Sequence, residues 1–195
     1  MNLPTKLTFL RMILIPVFVT LFFVNFPFHC VAATGVFVIA SFTDFLDGYL
    51  ARKYDQVTNL GKFLDPIADK MLVACALFAI VLKTGEFQIW TTVCAMIILC
   101  RELMISGFRI VASSKNVVLA ADKLGKIKTV LQMCALICLL PITDLISAAE
   151  KASSSWQTFI DITFYIGFAL LALSTIMAIV SGINYIVKNK QVLKD

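Results

Sequence analysis

The sequence predicts an all-α integral membrane protein, built as one bundle of about six transmembrane helices. Hydrophobic residues fill 60% of the 195 positions and the mean hydropathy is +0.92, values that exclude an ordinary soluble domain. The apolar residues also gather into segments of roughly 17–25 residues, the length that crosses a bilayer. Because these segments account for most of the chain, we expect a single transmembrane domain over residues 1–195.

The predicted spans are residues 8–25, 33–52, 63–83, 88–110, 125–143 and 158–187. Before the first span, polar and apolar residues alternate irregularly, which indicates a short N-terminal interfacial segment. Lysine and arginine are concentrated at the N-terminus, in two of the connections and in the C-terminal tail, whereas the opposite side carries only Lys83 and Lys151. The positive-inside rule therefore places both termini in the cytoplasm, together with the connection between the second and third spans.

Charged and small residues distinguish the last three spans. The fourth carries Arg101, Glu102 and Arg109, and ionisable groups inside a membrane usually face the bundle interior. The fifth begins at a lysine-rich helix start, where backbone amides already favour anions. The sixth has small residues at four-residue steps, which permit close packing within the bundle or between two copies. These small residues are Ser174, Ala178 and Gly182.

Four aspartates lie where the second span ends and the third begins. Asp44 and Asp47 share one face of the first of these helices, and Asp65 and Asp69, four residues apart, share one face of the next. The polar stretch between them lets the two helices return antiparallel, which brings the carboxylates together. Carboxylates are costly near hydrocarbon, so such a cluster indicates a functional site.

The chemistry that this cluster predicts is the binding of a metal-bound pyrophosphate. Neighbouring carboxylates repel one another unless cations hold them, and hard ions such as Mg²⁺ take oxygen ligands that they share with substrate phosphates. Gly48 and Ala51 lie on the same face as Asp44 and leave room for a ligand to approach the backbone. Arg52, at the end of that face, offers a planar fork to a phosphate.

This spacing resembles the signature of the CDP-alcohol phosphatidyltransferase family. The chain matches its fixed positions with Asp44, Asp47, Gly48, Ala51, Arg52, Gly61, Asp65 and Asp69. The resemblance implies transfer of a phosphatidyl group from CDP-diacylglycerol, with CMP leaving, in a bacterial plasma membrane. It implies one or two Mg²⁺ or Mn²⁺ ions on the four aspartates, Asp69 as general base, and a homodimer. The cytidine diphosphate is then expected against Asp44, Gly48, Ala51, Arg52 and Gly61.

Two further segments, residues 106–109 and 125–132, resemble those of the bacterial branch whose acceptor is sn-glycerol 3-phosphate. The resemblance implies that Arg109, Lys126 and Lys128 bind the acceptor phosphate while Glu102 holds a neighbouring basic group. Arg101 is a further candidate site residue. The alternatives are a structural ion pair on the fourth span and a simple topology signal at the start of the fifth.

The N-terminal residues also resemble that branch, through a pattern that includes Thr8 and Arg11. Arg11 is either a topogenic charge at the start of the first span or a residue that faces the active-site cavity. Thr8 is a candidate site residue under the second interpretation.

Several alternatives stay open at this point. Inositol phosphate, phosphatidylglycerol or serine are other acceptors within the family, although a phosphate-bearing acceptor suits the basic residues better than serine does. A divalent-cation transporter is an alternative of another class, but its acids are expected near the bilayer midplane. The net charge of +5 is spread over juxtamembrane loops and indicates contact with membrane lipids rather than nucleic acid. The six cysteines have no zinc-site spacing and are expected to pack, and His29 is given no role.

Overall fold

The computed structural model describes residues 3–54, 59–115, 123–149 and 154–190, and within these ranges it contains helices and turns but no strand. A short 3₁₀ turn, Gly85–Phe87, precedes the fourth α-helix. The α-helices are α1 (Leu3–Phe23), α2 (His29–Tyr54), α3 (Asn59–Val81), α4 (Gln88–Ser114), α5 (Lys123–Leu139), α6 (Ile142–Ala149) and α7 (Ser154–Lys188). The predicted all-α class is therefore confirmed.

The first half of the bundle is built around α1, which packs along α2 and also contacts α3. Aromatic side chains fill the α1–α2 contact: the ring of Phe18 lies 6.0 Å from the rings of both Phe22 and Phe37, centroid to centroid. All three side chains are fully buried. This packing fixes the N-terminal helix against the two helices that carry the aspartates.

The second half is held together by α7, which packs against α5 and α4. Ser174, Ala178 and Gly182 are buried on α7, and a Cβ at Gly182 would lie 3.3 Å from Cγ of Arg101. Of the two uses predicted for this small-residue face, packing inside the bundle is therefore the one observed. Small side chains here let α4 approach α7 closely.

Two helix boundaries add detail to the sequence expectations. The predicted fifth span, residues 125–143, falls within one apolar stretch, but this stretch consists of two helices, because α5 ends at Leu139 and α6 begins at Ile142, beyond Pro141. Proline lacks the backbone N–H and clashes with the preceding turn, which ends the helix there. The N-terminal stretch expected to lie at the membrane interface is helical and forms the beginning of α1, which runs without a break from Leu3.

Three helical stretches are long and apolar enough to cross a membrane within the described residues: Lys6–Phe23, Leu124–Ile146 and Ser155–Lys188. A shorter apolar stretch covers His29–Asp44. Large apolar side chains also point outward, as at Ile89 and Ile110, which are 76% and 71% exposed. An apolar exterior of this kind is typical of a membrane protein. The count of six spans and the orientation stay predictions.

The α5–α7 contact can be tested at Gly167. A Cβ at this position would lie 2.9 Å from both Cβ of Cys138 and Cγ of Leu139, so Gly167→Ala must push the helices apart. We expect this variant to lower the free energy of unfolding by about 1–3 kcal/mol and the midpoint of thermal unfolding in detergent. Gly35→Ala is the matched control, because nothing lies within 4 Å of a Cβ there. Equal midpoints for the two variants would contradict the close contact.

Candidate active site

The aspartates meet where the C-terminal part of α2 faces the N-terminal part of α3. Asp44 lies on α2, and its carboxylate repels those of Asp65 and Asp69 on α3. Asp65 lies well inside α3, which begins at Asn59. The convergence of carboxylates from two helices is the arrangement that their spacing predicts.

Several predicted site residues lie outside the described side chains. Only their helical backbone is described, on α2 and α3, and they are Asp47, Gly48, Ala51, Arg52 and Gly61. Their roles in binding the cytidine diphosphate and the metal stay predictions.

The N-terminal helix α1 reaches into the aspartate cluster. The guanidinium of Arg11 is fully buried, and its Nη1 lies 2.6 Å from Oδ1 of Asp44. One turn earlier, Thr8 Oγ1 donates a hydrogen bond of 2.5 Å to Oδ1 of Asp65. Of the two interpretations of Arg11, the contact with the site is the one that fits this arrangement. Polar contacts thus tie α1 to each of the two aspartate-bearing helices.

A polar cavity of about 280 Å³ lies beside Asp69, between α3, α4, α5 and α7. Its walls carry four cationic side chains from three helices, Lys70 on α3, Arg101 and Arg109 on α4, and Lys126 on α5. The Nε of Arg109 donates to Tyr185 Oη at 3.2 Å, and Nη2 of Arg101 donates to Ser181 Oγ at 2.9 Å. These contacts with α7 hold the two arginines in place while they face the cavity. The cavity is therefore suited to a small anion.

One side-chain nitrogen of Arg101 has no hydrogen-bond acceptor among the described residues. Its Nε is buried, and among the described residues no acceptor lies within hydrogen-bond distance of that atom. A buried donor without an acceptor is costly, so a ligand that supplies an acceptor is favoured here.

An apolar cavity of about 350 Å³ lies on the other side of Asp69, between α3, α4 and α5. Asp69, Lys70, Glu102 and Thr129 line both cavities, so the two adjoin at these residues. The cavity suited to an anion and the cavity suited to an apolar group thus meet at the carboxylate of Asp69.

The predicted acceptor residues are only partly brought together. Arg109 and Lys126 line the polar cavity, whereas Lys128 lines the apolar one. Lys128 is 1% exposed, and its Nζ donates to Oε1 of Glu102 at 2.6 Å. Glu102 also lies 3.4 Å from Nη1 of Arg101. Glu102 therefore holds basic groups in place, as expected, and Lys128 is one of them.

Several residues of these cavities were missed at the level of sequence. Lys70, Thr129, Gln132 and Tyr185 were assigned no role in the site, although all four line a cavity. Lys70 adjoins Asp69, and Thr129 and Gln132 belong to the segment that resembles the bacterial branch, so their positions gave a signal. Nothing in the sequence around Tyr185 indicates its role.

The aspartate cluster fits a hard divalent cation. The described side chains of Asp44, Asp65 and Asp69 offer carboxylate oxygens, and the repulsion among them is offset in part by the nearby cations Arg11 and Lys70. A metal ion relieves such repulsion further, and oxygen-only ligand sets suit Mg²⁺ and Mn²⁺.

Within the described side chains, three ligand atoms come within 4.8 Å of one another only at His29, Cys30 and Asp144. This group lies about 22 Å along α2 from Asp44. Asp144 Oδ2 accepts hydrogen bonds from the backbone N–H groups of Cys30 and Val31, at 2.5 and 3.0 Å. Its position is that of a residue that caps α2 and ties α6 to it. His29 does not join the aspartates.

Comparison with known proteins identifies the class to which this site belongs. A match to the CDP-alcohol phosphatidyltransferase family covers residues 1–180, and the chain belongs to that family. It is therefore an enzyme of the phosphatidyltransferase class, as the eight-residue spacing predicted.

The most similar relatives carry one name. The chain is 37% identical to the CDP-diacylglycerol–glycerol-3-phosphate 3-phosphatidyltransferase of Rickettsia bellii (strain RML369-C), over 94% of this chain and 93% of the relative. It is 36% identical to the protein of the same name from Bacillus subtilis (strain 168), over 99% and 97%. With that of Shigella flexneri serotype 5b (strain 8401) it shares 37% identity over 95% and 93%. The divalent-cation transporter alternative finds no support among these relatives.

The contact between α1 and the aspartates can be tested with a double-mutant cycle on Arg11 and Asp44. Because Arg11 is fully buried against Asp44, Arg11→Met and Asp44→Asn should not act independently. We expect a coupling free energy of about 0.5–3 kcal/mol for unfolding in detergent, measured with each single variant and the pair. Lys6→Met paired with Asp44→Asn is the control, because Lys6 is an exposed cation on the same helix. Additive effects in both cycles would contradict a stabilising contact at Arg11.

Proposed function

We propose that the chain transfers the phosphatidyl group of CDP-diacylglycerol to sn-glycerol 3-phosphate, which gives phosphatidylglycerophosphate and CMP. The names of the relatives support this proposal. The observation that carries it is the pair of cavities at Asp69, one polar with four cationic side chains and one mainly apolar. A small anionic acceptor and a lipid donor need these two compartments side by side.

The reaction joins one oxygen and one phosphorus atom. A hydroxyl oxygen of glycerol 3-phosphate attacks the phosphorus that bears the diacylglycerol, and the bond from that phosphorus to CMP breaks. We propose that Asp69 accepts the hydroxyl proton as a general base. It lines both cavities, so it borders the two substrates at once. Holding both partners in line makes the reaction effectively unimolecular, which accounts for much of the catalysis in phosphoryl transfer.

Negative charge builds up on the departing CMP, and cations must stabilise it. The family is divalent-metal dependent in general. A bound Mg²⁺ or Mn²⁺ ion, or two, supplies this stabilisation and neutralises the pyrophosphate. The proposed ligands are Asp44, Asp47, Asp65 and Asp69. Gly48, Ala51, Arg52 and Gly61 are proposed to line the cytidine diphosphate beside them.

The acceptor phosphate is proposed to bind in the polar cavity, between Arg109 and Lys126. Arg101 joins this set because it lines the same cavity and its buried Nε has no protein acceptor among the described residues. Lys128 is paired with Glu102 where the two cavities meet, and it is proposed to add positive charge from the side of the lipid. Because Tyr185 already holds the guanidinium of Arg109, that group loses little conformational entropy when it binds a phosphate.

The proposed location is the plasma membrane of a bacterium, with six spans, both termini in the cytoplasm and the aspartates at the cytoplasmic surface. The distribution of lysine and arginine supports this orientation. Nucleotide-activated lipid headgroups are available on that side. A homodimer is proposed from the family resemblance.

Release of CMP tests the reaction and the role of Asp69. Purified protein in detergent, given CDP-diacylglycerol and Mg²⁺, is expected to release CMP with glycerol 3-phosphate but not with inositol phosphate, phosphatidylglycerol or serine, and EDTA should abolish the release. Asp69→Asn removes the proposed base and should lower kcat by about 10²–10⁴-fold. Asp161→Asn, at an exposed position on α7, is the control that should keep wild-type activity. Robust turnover in the Asp69 variant would refute the base assignment, and release with another acceptor would replace the proposed substrate.

The acceptor site is tested by the split between the two substrates. Arg109→Gln removes a charged donor from the polar cavity, so it should raise KM for glycerol 3-phosphate by about ten- to a hundredfold and leave KM for CDP-diacylglycerol within about twofold. Lys188→Gln, at an exposed site near the end of α7, is the control for a general loss of positive charge. An equal rise in both KM values would remove Arg109 from the acceptor site.

A further inference from the structure

Gln132 is a buried polar residue that the proposed mechanism does not use. It lies on α5, is 2% exposed and lines the apolar cavity. Among the described residues, no acceptor lies within hydrogen-bond distance of its Nε2. Because a buried amide donor without an acceptor is costly, such a group indicates an acceptor that a ligand brings.

The surroundings of Gln132 indicate the chemistry of that ligand. Away from the residues that line both cavities, the wall of the apolar cavity is formed by apolar side chains of α3, α4 and α5. These are Met71, Val73, Ala74, Phe78, Leu99, Leu103 and Met133. A charged or strongly hydrated acceptor would lose its water here without compensation. The ligand atom near Gln132 is therefore a neutral acceptor carried by an apolar molecule.

The position of Gln132 along α5 narrows the choice further. It lies one turn beyond Lys128, which is about 6 Å along the helix axis, and it lines only the apolar cavity, whereas Thr129 and Glu102 line both. In a phospholipid, the glycerol backbone separates the phosphate from the ester carbonyls by a comparable length. A lipid whose phosphate lies beside the residues that line both cavities thus places an ester carbonyl at the level of Gln132.

We propose that Gln132 is a lipid-binding residue whose Nε2 donates a hydrogen bond to an ester carbonyl oxygen of CDP-diacylglycerol, with the acyl chains in the apolar cavity. This inference rests on the proposed function, since it assumes a diacyl donor at Asp69. The hydrogen bond sets the depth at which the lipid lies, and thereby the distance of its phosphorus from Asp69. It also distinguishes an ester-linked lipid from an ether-linked one.

The test combines replacement of the Gln132 side chain with removal of the two ester carbonyl oxygens of the lipid. CMP release is measured with CDP-diacylglycerol and with its diether analogue, which lacks the carbonyl oxygens, at saturating glycerol 3-phosphate. We expect the wild type to show a KM about five- to tenfold lower for the diester than for the diether, the value of one buried hydrogen bond. Gln132→Met should raise KM for the diester by the same factor, so that the two lipids become equivalent. KM for glycerol 3-phosphate should not change.

Two further variants keep the outcome clear. Gln132→Glu preserves the shape but replaces the amide donor, and it should also lose the preference for the diester. Gln88→Met, at an exposed site at the start of α4, is the control that should keep it. A wild type with equal KM values for the two lipids overturns the inference without any variant, as does a preference that survives in both Gln132 variants. Absence of CMP release from the wild type with every acceptor would instead overturn the proposed function.

Discussion

Repulsion among carboxylates at the meeting point of α2 and α3 is the constraint on which the rest of the structure depends. Asp44 repels Asp65 and Asp69, and all three lie at the edge of an apolar bundle where charge is costly. The fold offsets this repulsion with α1, whose buried Arg11 contacts Asp44 and whose Thr8 contacts Asp65. The aromatic packing of α1 on α2 also positions the buried cation of Arg11 beside these carboxylates.

A second polar contact organises the other wall of the site. Glu102 on α4 accepts a hydrogen bond from Lys128 on α5, and Arg101 is tied to α7 through Ser181. These contacts join three helices around Asp69 and separate a cationic cavity from an apolar one. An enzyme that joins a water-soluble anion to a lipid needs this separation, since one environment cannot solvate both substrates. The proposed chemistry takes place where the two cavities meet.

Helical periodicity predicted much of this arrangement and could have predicted more. The spacing of the aspartates predicted facing helices, which agrees with Asp44 on α2 and Asp65 and Asp69 on α3, and the family assignment from eight positions is confirmed. The break between α5 and α6 has a local cause in Pro141. Lys126 and Lys128 were both assigned to the acceptor, yet residues two apart on a helix point about 200° apart around its axis. Their lining of different cavities follows from that rotation.

The sequence by itself determined the class of protein, the helical architecture and the carboxylate face, because these depend on hydropathy and on spacing within single helices. The tertiary structure alone decided which residues complete the site. Tyr185 is 76 residues from Arg109 and Ser181 is 80 residues from Arg101, and no local pattern connects them. Gln132 stands out only because the surrounding helices bury it beside an apolar cavity. Such contacts arise from how helices pack against one another, and the period of one helix carries no information about its neighbour's rotation.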